Sequence, residues 1–227
     1  MVTGAHMDTI MATFTTMRTD QFLTLVQWLS PSYPIGAFAY SHGLEWAVDA
    51  QQVTDRETLQ AWLETVLRHG AGRTDALFLC AAYRTEDVTD VDAHARAFAP
   101  SAERLRETVL QGEAFSRATR DIWNIDMPVM TYPVAVGFAA RLHGLPLDQT
   151  MQVFLHGFIS NLAAAGMRLI PLGQTDGQIV IKELAATCIE IADAAMKGSL
   201  EDLSSTAFLS DIASMRHETQ YSRIFRT

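Results

Sequence analysis

This sequence predicts an all-α fold, a single helical bundle of about eight to ten helices. Three observations predict it. Apolar residues recur at spacings of three and four along nearly the whole chain, while period-two alternation is almost absent. Residue types that cap and end helices stand at the borders of those periodic segments. Neither an internal repeat nor a shift in composition marks a linker, so one domain accounts for the 227 residues.

The elements follow in chain order. Residues 1–20, MVTGAHMDTIMATFTTMRTD, are small, polar and dotted with methionine, and read as a disordered leader or added expression residues. Phe22, Leu25, Val26 and Leu29 set a first helix over 20–30. The stretch SPSYPIG, residues 30–36, breaks it twice with proline, and helical spacing resumes over 38–50. Thr54, with Glu57 three residues on, predicts a capping box and a helix to about Tyr83, weakened near its middle by Gly70 and Gly72. Thr89 and Asp92 start a short helix that ends near Pro100, and Ser101 starts a longer one through about Trp123. Pro133 suits a helix's first turn, and Gly144, Leu145 and Pro146 close that helix.

Over 148–170 the apolar residues Met151, Phe154, Leu155, Phe158, Ile159, Leu162 and Leu169 cover more than one face. This helix is expected at the centre of the bundle or between two chains. Pro171 ends it. Thr175 with Gln178 is expected to cap the next helix, through about Met196, which Lys197 and Gly198 close. Residues 199–209 are weakly patterned, and 211–217 make a last turn or two.

Composition narrows the function classes. Hydrophobic residues at 48% and charged residues at 19% support a substantial core and argue against disorder. The formal charge of −9, with Lys182 and Lys197 the only lysines, argues against a general nucleic-acid binder. No apolar run of membrane-spanning length and no signal-peptide pattern is seen, so a cytoplasmic location is expected. Cys80 and Cys188 form no CxxC and are expected as buried, reduced thiols.

Catalytic signatures fail one by one. His217-Glu218 begins like a zinc-protease HExxH, but position 221 is tyrosine. No histidine pairs with a second His or Cys at metal-ligand spacing, so neither metal nor cofactor is expected. PLGQTDGQ, residues 171–178, lacks the GK[ST] ending of a phosphate loop and follows a helix, so it reads as a sharp turn. Ser41 and His42 are neighbours in sequence, which does not make a nucleophile–base pair. No catalytic residue is assigned.

Two segments remain unexplained. One is the corner SPSYPIGAFAYSHGLEWAV, residues 30–48; the other is the tail MRHETQYSRIFRT, residues 215–227. In an acidic chain the tail carries Arg216, Arg223 and Arg226 against Glu218 alone, with Tyr221, Ile224 and Phe225. Aromatics supply rigid contact area and arginine pairs with carboxylates, so both segments read as docking surfaces. The plainer alternatives are a corner packed on the core through Phe38, Leu44 and Trp46, and a frayed terminus.

These two segments and RLIPLGQTDGQ, residues 168–178, resemble the three signature regions of the urease accessory protein UreF family, in the right order. The resemblance spans about Gln21 to Thr227. It implies an all-helical homodimer without catalytic chemistry of its own. It implies binding to UreD (UreH in some bacteria), recruitment of the GTPase UreG, and action on apo-urease. The outcome would be GTP-dependent nickel insertion and lysine carbamylation.

Carried over by motif, the implied partner-facing residues are Pro34, Gly36, Phe38, Tyr40, Ser41, Gly43 and Glu45 in the corner. Pro171, Gly173 and Gln174 match the second region, and His217, Glu218, Tyr221, Ser222, Arg223, Phe225 and Arg226 the third. In the family the tail orders when UreD binds. That makes 21–214 the helical domain and 215–227 a partner-binding strip. The family's dimeric habit, with the all-round apolarity of 148–170, places Gln152 and His156, one turn apart on one face, at the dimer contact. Two rivals stay open. One is an all-α small-molecule enzyme using Glu45, His156 and His217 as acid–base groups. The other is a UreG regulator that supplies Arg168 or Arg223 to phosphoryl transfer.

Overall fold

The computed structural model describes residues 17–227. Among these the chain forms ten α-helices and no strand. They are α1 (Thr19–Trp28), α2 (Leu44–Asp49), α3 (Arg56–His69), α4 (Ala71–Arg84), α5 (Thr89–Ala97), α6 (Ala102–Trp123), α7 (Tyr132–Leu142), α8 (Leu147–Leu169), α9 (Gln174–Lys197) and α10 (Phe208–His217). Short 3-10 turns cover Ala37–Ala39 and Leu200–Asp202. The all-α expectation holds. Of the expected leader, 1–16 lie outside the described residues, and the chain is already helical from Thr19.

The middle of the bundle is α4, which touches α3, α5, α7, α8 and α9. Its buried residues, from Gly72 through Leu77, Phe78, Leu79, Cys80 and Ala82, leave few positions facing water. Against α7 the two backbones nearly touch. A Cβ on Gly137 would stand 2.2 Å from the Leu79 carbonyl oxygen, so only glycine permits this crossing. The second layer is the α8–α9 hairpin, closed by the turn that Pro171 begins. Although α8 packs on α9, α4, α2, α3 and α7, it also leaves a face to solvent, with Gln152 half-buried and His156 exposed. Both cysteines are buried and free, and burial pushes the Cys188 thiol up to about 11.

Four local expectations differ from what is found, each for a physical reason. The helix expected from Thr54 to Tyr83 is broken at Gly70, whose φ of −130° and ψ of −138° end α3. The break frees the His69 carbonyl, which accepts the amides of Thr206 at 2.8 Å and Ala207 at 3.1 Å, so the chain entering α10 docks there. The cap of α3 is Asp55 with Thr58 rather than Thr54 with Glu57. Asp55 accepts the Thr58 amide at 2.9 Å, and Thr58 Oγ1 accepts the Asp55 amide at 3.1 Å. The expected Thr175 cap is absent, because α9 starts a residue earlier, behind Gly173. The helix expected over 38–50 shrinks to α2. His42 and Gly43 take positive φ values of 55° and 76°, and the chain ahead of them is paired with the tail.

Candidate functional site

The corner begins with an anchor. Tyr33 is buried, its hydroxyl 2.9 Å from Thr119 Oγ1 of α6 and its ring 5.5 Å from that of Phe115. From there the chain turns through Gly36, with φ at 71°, into the 3-10 turn, and a second turn at His42 and Gly43 starts α2. Gly43 is required twice over. Its positive φ favours glycine, and a Cβ there would lie 2.5 Å from the Ser214 amide nitrogen of α10. That close approach brings α10 and the tail onto the corner.

The tail is clasped, not frayed. The Arg226 amide donates to the Ala39 carbonyl at 2.8 Å, and the Ser41 amide donates to the Thr227 carbonyl at 2.9 Å. The Ser41 hydroxyl donates to the same carbonyl. Glu45 on α2 holds the next residues. Its Oε1 accepts the Ile224 amide at 2.6 Å, and its Oε2 accepts the Phe225 amide at 2.8 Å. The same Oε2 lies 3.1 Å from Nε2 of His217, whose Nδ1 is 2.7 Å from Glu103 Oε2 on α6. Arg223 donates to Glu103 Oε1 at 2.7 Å, and Glu218 accepts the Ala102 amide at 2.9 Å, at the start of α6. Phe225 is buried under the Arg168 guanidinium, which sits 4.4 Å from the ring centroid and also donates to the Phe38 carbonyl at 2.9 Å.

Below the clasp lies a buried ionic cluster. Glu107 of α6 pairs with Arg104, lies 2.7 Å from His42 Nε2, and accepts from Gln111 Nε2 at 3.1 Å and Thr227 Oγ1 at 2.9 Å. Burial pushes the Glu107 carboxyl up, but Arg104 and His42 outweigh it and hold it down to about 2. Burial lowers the His42 pKa, with Arg104 acting the same way. His42, Arg104, Glu107 and Gln111 line a cavity of about 40 Å³, room for a few waters, together with Asp75 of α4. Burial pushes the Asp75 carboxyl up to about 7 against the opposing charge of Arg104. No group of three His, Cys, Asp or Glu among the described residues is arranged to hold a metal ion. No helix of the described chain is long and apolar enough to cross a membrane.

The residues singled out in the sequence divide accordingly. Tyr40, Ser41, Gly43, Glu45, His217 and Phe225 are buried in the clasp and hold it together. Pro34, Phe38, Glu218, Tyr221, Ser222, Arg223 and Arg226 are exposed around it. Pro171, Gly173 and Gln174 are exposed on the α8–α9 turn, and no hydrogen bond joins them to corner or tail. Glu45 and His217 meet, while His156 stands apart on α8 without a hydrogen bond to either. Arg168 and Arg223 are exposed at the edge of the clasp, each donating to one of its groups.

Sequence reasoning missed Glu103 and Glu107, two carboxylates four residues apart on α6, and the exposed face of α10. On that face Phe208 and Ile212 stand one turn apart, with Leu209 and Met215 beside them. An open depression between Trp46, Asp49, Ile212, Arg216 and Tyr221 joins this face to the corner.

A family model described as UreF matches residues 53–185, more than half of the chain. The chain is 55% identical over 210 residues to the urease accessory protein UreF of Ruegeria pomeroyi, covering 91% of this chain and 97% of that one. It is 51% identical over 213 residues to the urease accessory protein UreF of Roseobacter denitrificans, covering 93% and 96%. Against that of Ruegeria sp. TM1040 the identity is 55% over 214 residues, covering 93% of this chain and 100% of the relative. With an all-helical fold, a matching family model and relatives of this identity over nearly its whole length, this chain belongs to the UreF family of urease accessory proteins.

Proposed function

We propose that this chain is a non-enzymatic scaffold in nickel-urease maturation. With UreD it recruits the GTPase UreG to apo-urease for GTP-dependent nickel insertion and lysine carbamylation. It works in the cytoplasm as a homodimer, with Gln152 and His156 of α8 at the contact between copies. UreD docks on the surface that corner and tail build together.

The observation that carries this reading is the division of labour in the clasp. Buried groups fix the tail, while Tyr221 is fully exposed, Ile212 lines the same open depression, and Ile224, Phe38 and Phe208 are exposed on the tail, the corner and α10. Arg216 lines that depression and Arg226 is exposed on the tail, a pattern suited to a partner with apolar anchors and peripheral carboxylates. An arginine supplied in trans to UreG is less well supported, since Arg168 and Arg223 already pair with groups of the chain itself.

The test is co-elution with purified UreD on size exclusion with light scattering. Truncation after Ser214 would cut α10 and remove buried Phe225, so surface substitutions are the better probe. Tyr221→Ala combined with Ile224→Asp is expected to leave helicity and melting unchanged and to abolish co-elution. If that variant binds UreD as well as the parent, the tail is not the docking strip. If the parent does not bind, the scaffold reading loses its main support.

A further inference from the structure

His217 is fully buried, and both of its ring nitrogens face carboxylates. Nδ1 lies 2.7 Å from Glu103 Oε2, and Nε2 lies 3.1 Å from Glu45 Oε2. A carboxylate only accepts, and a neutral imidazole has a single N–H. With a neutral ring, one of the two contacts sets a lone pair against a lone pair. The imidazolium satisfies both.

Counting charges leads the same way. Glu45 from α2 and Glu103 from α6 bring two negative charges, and Arg223 from the tail brings one positive charge. Glu218 is directed away, onto the amides at the start of α6, and Arg216 on α10 is exposed. The carboxylates are 7% and 15% exposed, so an unbalanced charge here is poorly solvated. An imidazolium makes the Glu45, Glu103, Arg223 and His217 cluster neutral. A neutral ring leaves it with a net negative charge.

The carboxylate that faces His217 also fastens the tail. Glu45 Oε2 accepts the Phe225 amide, and Oε1 accepts the Ile224 amide. We propose that His217 is a proton-dependent latch. As the imidazolium it bridges α2 and α6 and holds Glu45 in the position that pins residues 224–225; loss of its proton releases the tail. The latched form carries one proton more than the form with a neutral ring. Rising pH therefore draws the equilibrium toward release. Resting on the docking role proposed above, the consequence is that partner binding weakens in alkaline solution. The latch itself does not depend on that role.

Two measurements on the unmutated chain test it. The first is a long-range proton–nitrogen correlation spectrum of 15N-histidine-labelled protein, with His217 assigned by the signal missing from His217→Gln. In the latched form both ring nitrogens are expected to carry protons; a ring with one unprotonated nitrogen at every pH overturns the proposal. The second is amide hydrogen exchange at Ile224 and Phe225, corrected for the intrinsic rate and referred to core amides of α4. From about pH 6 to about pH 9 their protection is expected to fall roughly ten- to a hundredfold, the factor carried by a charge-assisted hydrogen bond. In His217→Gln it is expected to be low at both ends. Protection in the parent that does not change with pH overturns the latch, whether or not the variant folds. Neither measurement reads UreD binding. A pH-dependent tail in a chain that fails to co-elute with UreD would refute the docking role and leave the latch standing.

Discussion

Glu45 illustrates how a single side chain sets the geometry of this site. Its two oxygens take two tail amides and one imidazole nitrogen, all on or near the buried side of α2. Glu45→Ala strands those donors, and a cost of about 2–4 kcal/mol is expected, read as a lower denaturation midpoint and faster exchange at Ile224 and Phe225. Glu45→Gln keeps one acceptor oxygen and should fall between parent and alanine. Gly43→Ala is expected to cost about 1–3 kcal/mol, since it combines a left-handed φ of 76° with a Cβ 2.5 Å from the Ser214 amide. A midpoint equal to the parent's would mean that α10 can shift away freely. Both residues drew notice in the sequence as members of a motif, but only the fold assigns them a task. Glu45 looked like a partner-facing group and is turned inward. Glu103 and Glu107 drew none, because two carboxylates on an amphipathic helix look like ordinary solvated positions until His217 and His42 are brought against them.

At the scale of elements, the helices were legible and their interruptions less so. Ser101 caps α6 as expected, accepting the Arg104 amide at 3.1 Å, because capping is a contact between near neighbours. The breaks at Gly70 and His42–Gly43 serve distant partners instead. The first receives the segment before α10, and the second receives the tail. Nothing local to 38–50 says that Ala39 and Ser41 give their main-chain groups to Arg226 and Thr227. The free face of α10 carries its own prediction. Phe208→Ser with Ile212→Asp removes exposed apolar surface and should change stability by no more than about 0.5 kcal/mol. The same variant is expected to weaken UreD co-elution at least tenfold. A large drop in melting temperature instead would mean that this face packs on the chain itself.

Across the whole molecule, buried charge makes stability depend on pH, and the signs differ between groups. Glu107 is lowered from 4.5 to about 2, so its contribution is complete above 4.5 and is lost as pH falls toward 2. Asp75 is raised from 3.8 to about 7, so across that interval the native state keeps a proton that the unfolded chain releases. Stability therefore falls as pH rises through the interval. His42, lowered from 6.5, works in the opposite sense below that value. The clean readout is thus the difference between parent and Asp75→Asn. The variant is expected to be more stable by about 1–3 kcal/mol near pH 8, with the advantage vanishing toward pH 4; an advantage independent of pH would place the Asp75 carboxyl in water. By itself the sequence determined the helical class, the order of the elements and the family, since periodicity, caps and motifs are encoded among near neighbours. Tertiary structure alone decided that the tail closes on the corner, that α4 shares the centre of the bundle with α8, and which motif residues face inward. Those outcomes depend on backbone approach at Gly43 and Gly137, and on pairing carboxylates with partners more than a hundred residues away.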